Sequence, residues 1–480
     1  MDARVATDEP AALTHRDSMI IILGVLLPVF MGSVDTTILA SALPIIGREF
    51  NDMQNLPWLV TAYLIAMTAT TPLYGKISDI YGRRSTLYIA LALQMTGSLV
   101  CALAPNMFTL ILGRAIQGLG GGALSSTGMI VLGDIAAPRD RGKYYAYFAI
   151  IYTTSGACGP ALGGFLAEHV HWSAIFWLSI PLGTIATLLA MVCLRKLPRR
   201  ERYHRLDFLG AALVVVSTVA FMLALNMGGV IHPWTSLPII LTFAVSAVVG
   251  ALFIGRLLTA PEPLIPLAIL KDPVARCAIA FNTFGWSAII GLNIFLPMYL
   301  QHVMGLSATS AGLGLMILMV TLNTSAGLGG LVISRSVHYK RLPMISLLIT
   351  IAAVATLAWR ADSMTLPLFE VLVFALGLGF GPVAPLASVS LQNTVAAHHF
   401  GASVGTMNFS RMLFATVLIA AFGALVATSM TTASAVPGSA QAAMEAEGFR
   451  FVFIGAALSF VIALIAIIRM EEKPLRAGAG

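Results

Sequence analysis

Long apolar runs alternate with short polar breaks along this chain, and the length of the runs decides the fold class. Read from charge to charge and from one Pro/Gly turn to the next, the first six lie at 19–41, 57–75, 84–104, 107–132, 144–167 and 172–194. Two more follow at 208–228 and 236–258, and six at 276–300, 308–334, 342–359, 365–389, 402–428 and 450–469. A helix rises about 1.5 Å per residue, so about 20 apolar residues cross the ~30 Å hydrocarbon core of a bilayer. Within lipid, a helix satisfies every backbone N–H and C=O inside its own segment. The fourteen runs therefore predict fourteen transmembrane helices.

The grouping is six, two and six. It divides the chain into a polar tail 1–18, a first six-helix lobe 19–194, a basic linker 195–207, an extra helix pair 208–258, a link 259–275, a second lobe 276–469 and a tail 470–480. The link carries Pro261, Pro263, Pro266 and Pro273. Two similar halves are a signature of secondary transporters.

Composition agrees. Of 480 residues 58% are apolar and 10% charged, against about 25% charged in soluble domains. Mean hydropathy is +0.89. A soluble enzyme, a secreted disulfide scaffold and a disordered chain are excluded. Cys101, Cys158, Cys193 and Cys277 fall in or at the edge of apolar runs without metal-ligand spacing, and read as small apolar residues. No metal site is expected. The nucleotide loop G-x-x-x-x-G-K-[ST] is absent, and the loops are too short for an ATPase domain. The run from Met19 is too long for a signal-peptide core.

The net charge of +7 does not call for a nucleic acid. With the N-terminus inside, 23 of the 28 Lys and Arg fall in inner segments, three (Arg48, Arg360, Arg450) fall outside, and Arg114 and Arg411 sit within spans. That asymmetry predicts both termini cytoplasmic.

Four stretches carry candidate chemistry. The first span reads Val34-Asp35-Thr36-Thr37-Ile38-Leu39-Ala40-Ser41-Ala42-Leu43-Pro44, with Asp35 deep in an apolar run. Membrane-embedded acids are functional candidates by default. The loop after the second span runs from Gly75 through Lys76, Asp79, Ile80 and Gly82 to Arg83 and Arg84. Its glycines suit a tight turn, and Asp79 can cap a neighbouring helix N-terminus. Its arginines can also anchor on anionic lipid. The fourth span holds Arg114, Gln117 and Gly118, and a buried arginine needs a partner or a cavity. The fifth holds Gly156, Gly159, Pro160, Gly163 and Gly164, a kink among close-approach positions.

Together these stretches resemble the major facilitator superfamily, and within it the fourteen-span drug:proton antiporters of the EmrB/QacA type. Residues from Asp35 to Pro44 look like that family's first-span motif, 75–84 like the superfamily loop motif, Arg114 to Gly118 like R-x-x-Q-G, and 156–164 like G-x-x-G-P-x-x-G-G. The resemblance is strongest over 19–194; later it rests on span pattern and on Gly401 to Gly405 through Arg411. It departs from the family at Ile80, where a basic residue is usual, and at Phe400, where one is common. The symmetry-related loop, Gly330 to Arg341, keeps Arg335, Lys340 and Arg341 but has no acid. The resemblance implies two six-helix lobes around a central cavity, with rocker-switch alternating access.

Depth along the spans sets Asp35 about 16 residues from its inner end and Arg114 about seven from its outer end, so the two are expected partners in the outer half of the bilayer. They are the candidate proton-coupling pair, with Glu370, at the outer end of its span, either a second site or a carboxylate reaching interfacial water. Candidate cavity residues are Tyr63, Tyr152, Trp286, Asn293, Asn408 and Arg411. Taken singly, the aromatics are as readily packing residues, the asparagines (with Asn226, Asn282 and Asn323) helix–helix links, and Arg411 a cation held by backbone carbonyls. Phe284 is a further candidate wall, and Asp134 is expected to pair with the Arg139–Lys143 cluster.

The expected function is export of small amphipathic, aromatic or cationic compounds against inward proton flow, with no enzyme activity and no cofactor beyond the proton gradient. The alternatives are a metabolite facilitator or proton symporter on the same fold, and a membrane scaffold or sensor. Expected partners are substrate, protons and lipid. The carrier is expected in a bacterial plasma or inner membrane, monomeric, with a periplasmic adaptor and outer-membrane channel if the host is Gram-negative.

Overall fold

The structure, a computed structural model, describes residues 15–135, 141–197, 206–229, 231–336, 338–395, 399–433 and 439–474. The N-terminal tail to residue 14, most of the basic linker and the end of the C-terminal tail lie outside them. The first lobe comprises α1 (His15–Glu49), α2 (Leu56–Tyr81), α3 (Arg83–Ala102), α4 (Met107–Ile135), α5 (Arg141–His169) and α6 (Ala174–Cys193). The extra pair is α7 (Phe208–Met227) and α8 (Leu237–Thr259). After the short α9 (Leu267–Lys271) come α10 (Pro273–His302), α11 (Ala308–Arg335), α12 (Arg341–Trp359), α13 (Leu366–Phe380), α14 (Val383–Thr394), α15 (Phe400–Ala433) and α16 (Ser439–Arg469).

Among the described residues, thirteen segments are long and apolar enough to cross a membrane, with α13 and α14 counted as one. The helix left out is α5, whose 29 residues match the others in length. Its threonines, serine and glycines lower its hydropathy, although Ile150, Leu162 and Phe165 on its outer face are exposed. With α5 the membrane-length helices number fourteen. Several helices overrun the sequence reading, α1 to Glu49 past 41 and α2 to Tyr81 past 75, and two further differences are larger. The run near 365–389 is two helices, broken at Gly381-Pro382, where the backbone passes hard against α11: a Cβ on Gly381 would lie 2.5 Å from the Ser325 Cβ. Helix α16 starts at Ser439, not near 450, because its first turns are polar and helical at once.

Each lobe has its own apolar core. The lobes meet along α5 against α11 and α2 against α15. The extra pair docks through α7 on α2 and α15, at that second seam, while α8 packs on α7 and is otherwise largely exposed. Reciprocal hydrogen bonds link the pair, Ser217 Oγ to Ser246 O and Ser246 Oγ to Ser217 O, both 3.0 Å. Asp207 caps α7 at Gly210 N and accepts from Arg256 of α8 at 3.1 Å.

Candidate functional site

Asp35 and Arg114 meet, as their depths predict. Arg114 Nη1 donates to Asp35 Oδ2 at 2.8 Å, and both side chains are at most 3% exposed. Arg114 Nη1 also donates to Gln117 Oε1 at 2.8 Å, and its Nε to Leu59 O at 3.0 Å. Gln117 Nε2 donates to Asp35 Oδ1 at 3.2 Å and to Ser98 Oγ at 2.8 Å. Four helices thus converge on one buried network. Arg114 and Gln117 share a face of α4 because they are three residues apart. Gly118, on the next position, lets α2 come close: a Cβ there would lie 2.3 Å from Tyr63 O. The Tyr63 ring lies 4.4 Å from the Arg114 guanidinium carbon, a cation–π contact. Tyr63 also lines the central cavity, so it stands between that cavity and the ion pair.

The glycines of α5 divide into two kinds. Gly159 and Gly163 press on α1, where a Cβ would lie 2.0 Å from Thr37 Oγ1 and from Ile38 O respectively. Gly156 has open space and lines the cavity, and Gly164 is only loosely packed. Thr37 Oγ1 donates to Ser155 O at 3.1 Å, tying α1 to the helix that carries Pro160.

Asp79 caps a helix in the opposite lobe. It accepts from Gly401 N at 3.0 Å and Ala402 N at 2.8 Å, in the first turn of α15. Arg83 donates to Asp79 and to Asp134, each at 2.6 Å. Gly82, at φ +86°, makes the turn between α2 and α3, a conformation glycine adopts at least cost. Gly75 lies against the backbone of Gly401. Asp134 accepts from Arg83 at 2.6 Å across 51 residues; the side chains of the Arg139–Lys143 cluster, its expected partners, lie outside the described residues. Arg83 and Arg84 both find protein acceptors, Arg84 donating to Leu197 O at 2.9 Å.

The acid missing from the second lobe's loop comes from the C-terminal tail. Glu472 accepts from Lys340 N at 3.0 Å, at the start of α12. Tyr339 donates to Lys473 O and Asn393 to Pro474 O, at 2.9 and 3.0 Å.

Between the lobes lies a cavity of about 370 Å³, lined on one side by Thr36, Tyr63 and Tyr152 and on the other by Trp286, Asn293, Asn408 and Arg411. Asn282 and Asn323 line it too, as do Met129, Met319, Met407 and Met412. Those methionines carry no signal in sequence, since a methionine in an apolar run reads as core. Among the described residues no carbonyl accepts a hydrogen bond from the Arg411 side chain. Its guanidinium carbon lies 5.5 Å from the Trp286 ring centre, and its buried Nε makes no hydrogen bond. Phe284 is absent from the lining and packs on Phe414, and Asn226 bonds within α7. Glu370 is exposed on α13, away from both cavity and ion pair. A hollow of about 570 Å³ between α15 and α16 has exposed Leu425 and Phe451 in its walls and none of the motif residues.

The family described as Major Facilitator Superfamily matches residues 25–419. Multidrug resistance protein 3 of Bacillus subtilis is 31% identical over 404 residues, 84% of this chain and 78% of that protein. Efflux pump dotC of Dothistroma septosporum is 31% identical over 410 residues, 84% of this chain and 70% of that protein. Among solved structures, the human organic anion transporter MFSD10 superposes with a TM-score of 0.66 at 15% identity, over 94% of this chain and 99% of its own. The proton:xylose symporter XylE does so with 0.66 at 15%, over 96% and 98%. At that identity the structures speak for the fold alone.

Proposed function

The chain belongs to the Major Facilitator Superfamily, and from that premise we propose that it is a proton-coupled exporter of small amphipathic, aromatic compounds, working by alternating access. The observation that carries the reading is the Asp35–Arg114 pair, buried behind Tyr63 at the edge of the central cavity. Asp35 is a carboxylate held by Arg114 and Gln117 at the edge of that cavity, and in this reading it is the group that carries the coupled proton as the carrier changes its exposure. Substrate in the cavity and proton on Asp35 then bias the same two-state equilibrium, which is what coupling requires. The names of the relatives, a multidrug resistance protein and an efflux pump, support export.

The cross-lobe bonds support a rocking motion. Asp79 with Gly401 and Ala402, Asn408 with Ser126 at 3.2 Å, and Gln392 with Met129 O at 3.5 Å all fall on the half of the protein nearest the chain termini. They form a latch that must open for the cavity to face that side. The deciding experiment uses everted membrane vesicles carrying a preformed pH gradient. Addition of an exported aromatic compound should collapse the gradient. A compound that accumulates without moving protons would favour a facilitator, and one that moves with protons in the same direction a symporter.

We take the carrier to sit in a bacterial plasma or inner membrane with both termini cytoplasmic, on the basic asymmetry of its loops. A reporter fused at Lys196 or after Arg476 should then be cytoplasmic, and one inserted between α15 and α16 external. An external signal after Arg476 would overturn the orientation.

A further inference from the structure

The charge of the central cavity bears on what it carries. Among the described residues that line it there is no Asp, Glu, Lys or His, and Arg411 is the one ionic side chain. The nearby carboxylate, Asp35, lies behind Tyr63 and is already engaged by Arg114 and Gln117. No described acid lies within ion-pair distance of Arg411, and its Nε is buried without an acceptor. Arg411 is half-buried at the cavity wall, and a cation there without a counter-ion carries a desolvation cost that an incoming anion would offset.

The surroundings of Arg411 fit an anion on a flat body. Asn282, Trp286, Ile289 and Asn293 recur on α10 at spacings of four, three and four, and all four line the cavity. They form one helical stripe, apolar in the middle and amide-bearing at both ends. Asn282 Nδ2 is buried without a partner, as is Asn293 Oδ1. Trp286 stands beside the guanidinium of Arg411, which keeps the planar fork oriented for a two-oxygen acceptor. Met407 and Met412 on α15, with Met129 and Met319 opposite, supply soft walls that adapt to a ring system.

We propose that this cavity selects amphipathic organic anions, an aromatic body bearing a carboxylate, with Arg411 as the anion-binding residue. The proposal rests on the reading of the cavity as the transport site and narrows its substrates, setting aside the cationic compounds that the sequence alone left open. A lipophilic cation finds no carboxylate in the lining and one unneutralised guanidinium.

Three probes with one ring system test it: 2-naphthoate, 2-naphthamide and 2-naphthylmethylammonium. Binding to the purified full-length protein is read by tryptophan fluorescence and confirmed by calorimetry. 2-Naphthoate should bind at least about tenfold more tightly than the ammonium, an ordinary margin for a charge-assisted pair. Arg411→Gln should remove that preference while leaving the amide within about twofold, and Arg411→Lys should restore part of it. Melting curves and gel filtration separate loss of binding from loss of fold. If Arg411→Gln does not fold, raising salt on the wild type should weaken the carboxylate and not the amide. Equal or tighter binding of the ammonium, no binding of any probe, or unchanged naphthoate affinity in folded Arg411→Gln would overturn the proposal. A retained carboxylate preference with no export in vesicles would instead sink the transport reading and leave this one standing.

Discussion

Asp35→Asn is expected to leave proton-driven export at the level of empty vesicles. Both carboxylate oxygens accept hydrogen bonds, Oδ2 from Arg114 and Oδ1 from Gln117. An amide has one acceptor oxygen, so one of these donors must face an NH₂, and the Arg114 charge loses its counter-ion. Breaking a buried pair on one side costs about 3–5 kcal/mol, so the variant should also melt earlier than wild type. Loss of export alone would therefore be ambiguous. The double variant Asp35→Asn with Arg114→Gln removes both charges and should recover much of the stability, because two neutral amides can bond where the ions did. It should still fail to export, since nothing at the site titrates. The measurement is transport by purified protein in proteoliposomes with an imposed pH gradient, alongside melting curves. Full gradient-driven export by either variant would rule out Asp35 as the proton carrier. Glu370, exposed on α13, would then be the next acid to test.

The second large effect is expected at the latch. Asp79→Ala removes the acceptor for two backbone N–H groups at the start of α15 and one of the two carboxylates held by Arg83. Loss of a helix cap costs about 0.5–2 kcal/mol, and the broken, largely buried ion pair adds to it. A shift of about 2 kcal/mol in favour of the form open toward the chain termini changes the conformational ratio about thirtyfold. A cysteine placed at Ser388, which lines the cavity, should then react faster with a maleimide added from that side, and export should slow. Asp79→Asn should be milder, because its amide oxygen still accepts from the α15 N-terminus. Unchanged labelling and export in Asp79→Ala would mean that the bonds to Gly401 and Ala402 do not hold the carrier closed.

Much of this was legible because it is local. A span is announced by its own composition, and the described helices follow the runs closely, from Arg83–Ala102 for the expected 84–104 to Phe208–Met227 for 208–228. The motifs of the first lobe were legible too. Arg114, Gln117 and Gly118 repeat at helical spacing, and a charge inside an apolar run stands out without any fold. The break at Gly381-Pro382 had its residues in plain sight. It was read through because the apolar run continues across it, and the reason for the break is the close approach of α11.

What the sequence determined by itself is therefore the set of helices, their grouping and which buried polar residues need an explanation, since each follows from free energies of transfer to lipid that a segment carries wherever it packs. What the tertiary structure decided is partnership. Arg83 holds Asp134 across 51 residues, and the tail's Glu472 reaches Lys340 across 132. Tyr63 stands between the Asp35 pair and the cavity, and Arg411 faces that cavity with no acid beside it. Coulomb and hydrogen-bond energies depend on distance through space, which is fixed only when helices far apart in the chain pack together.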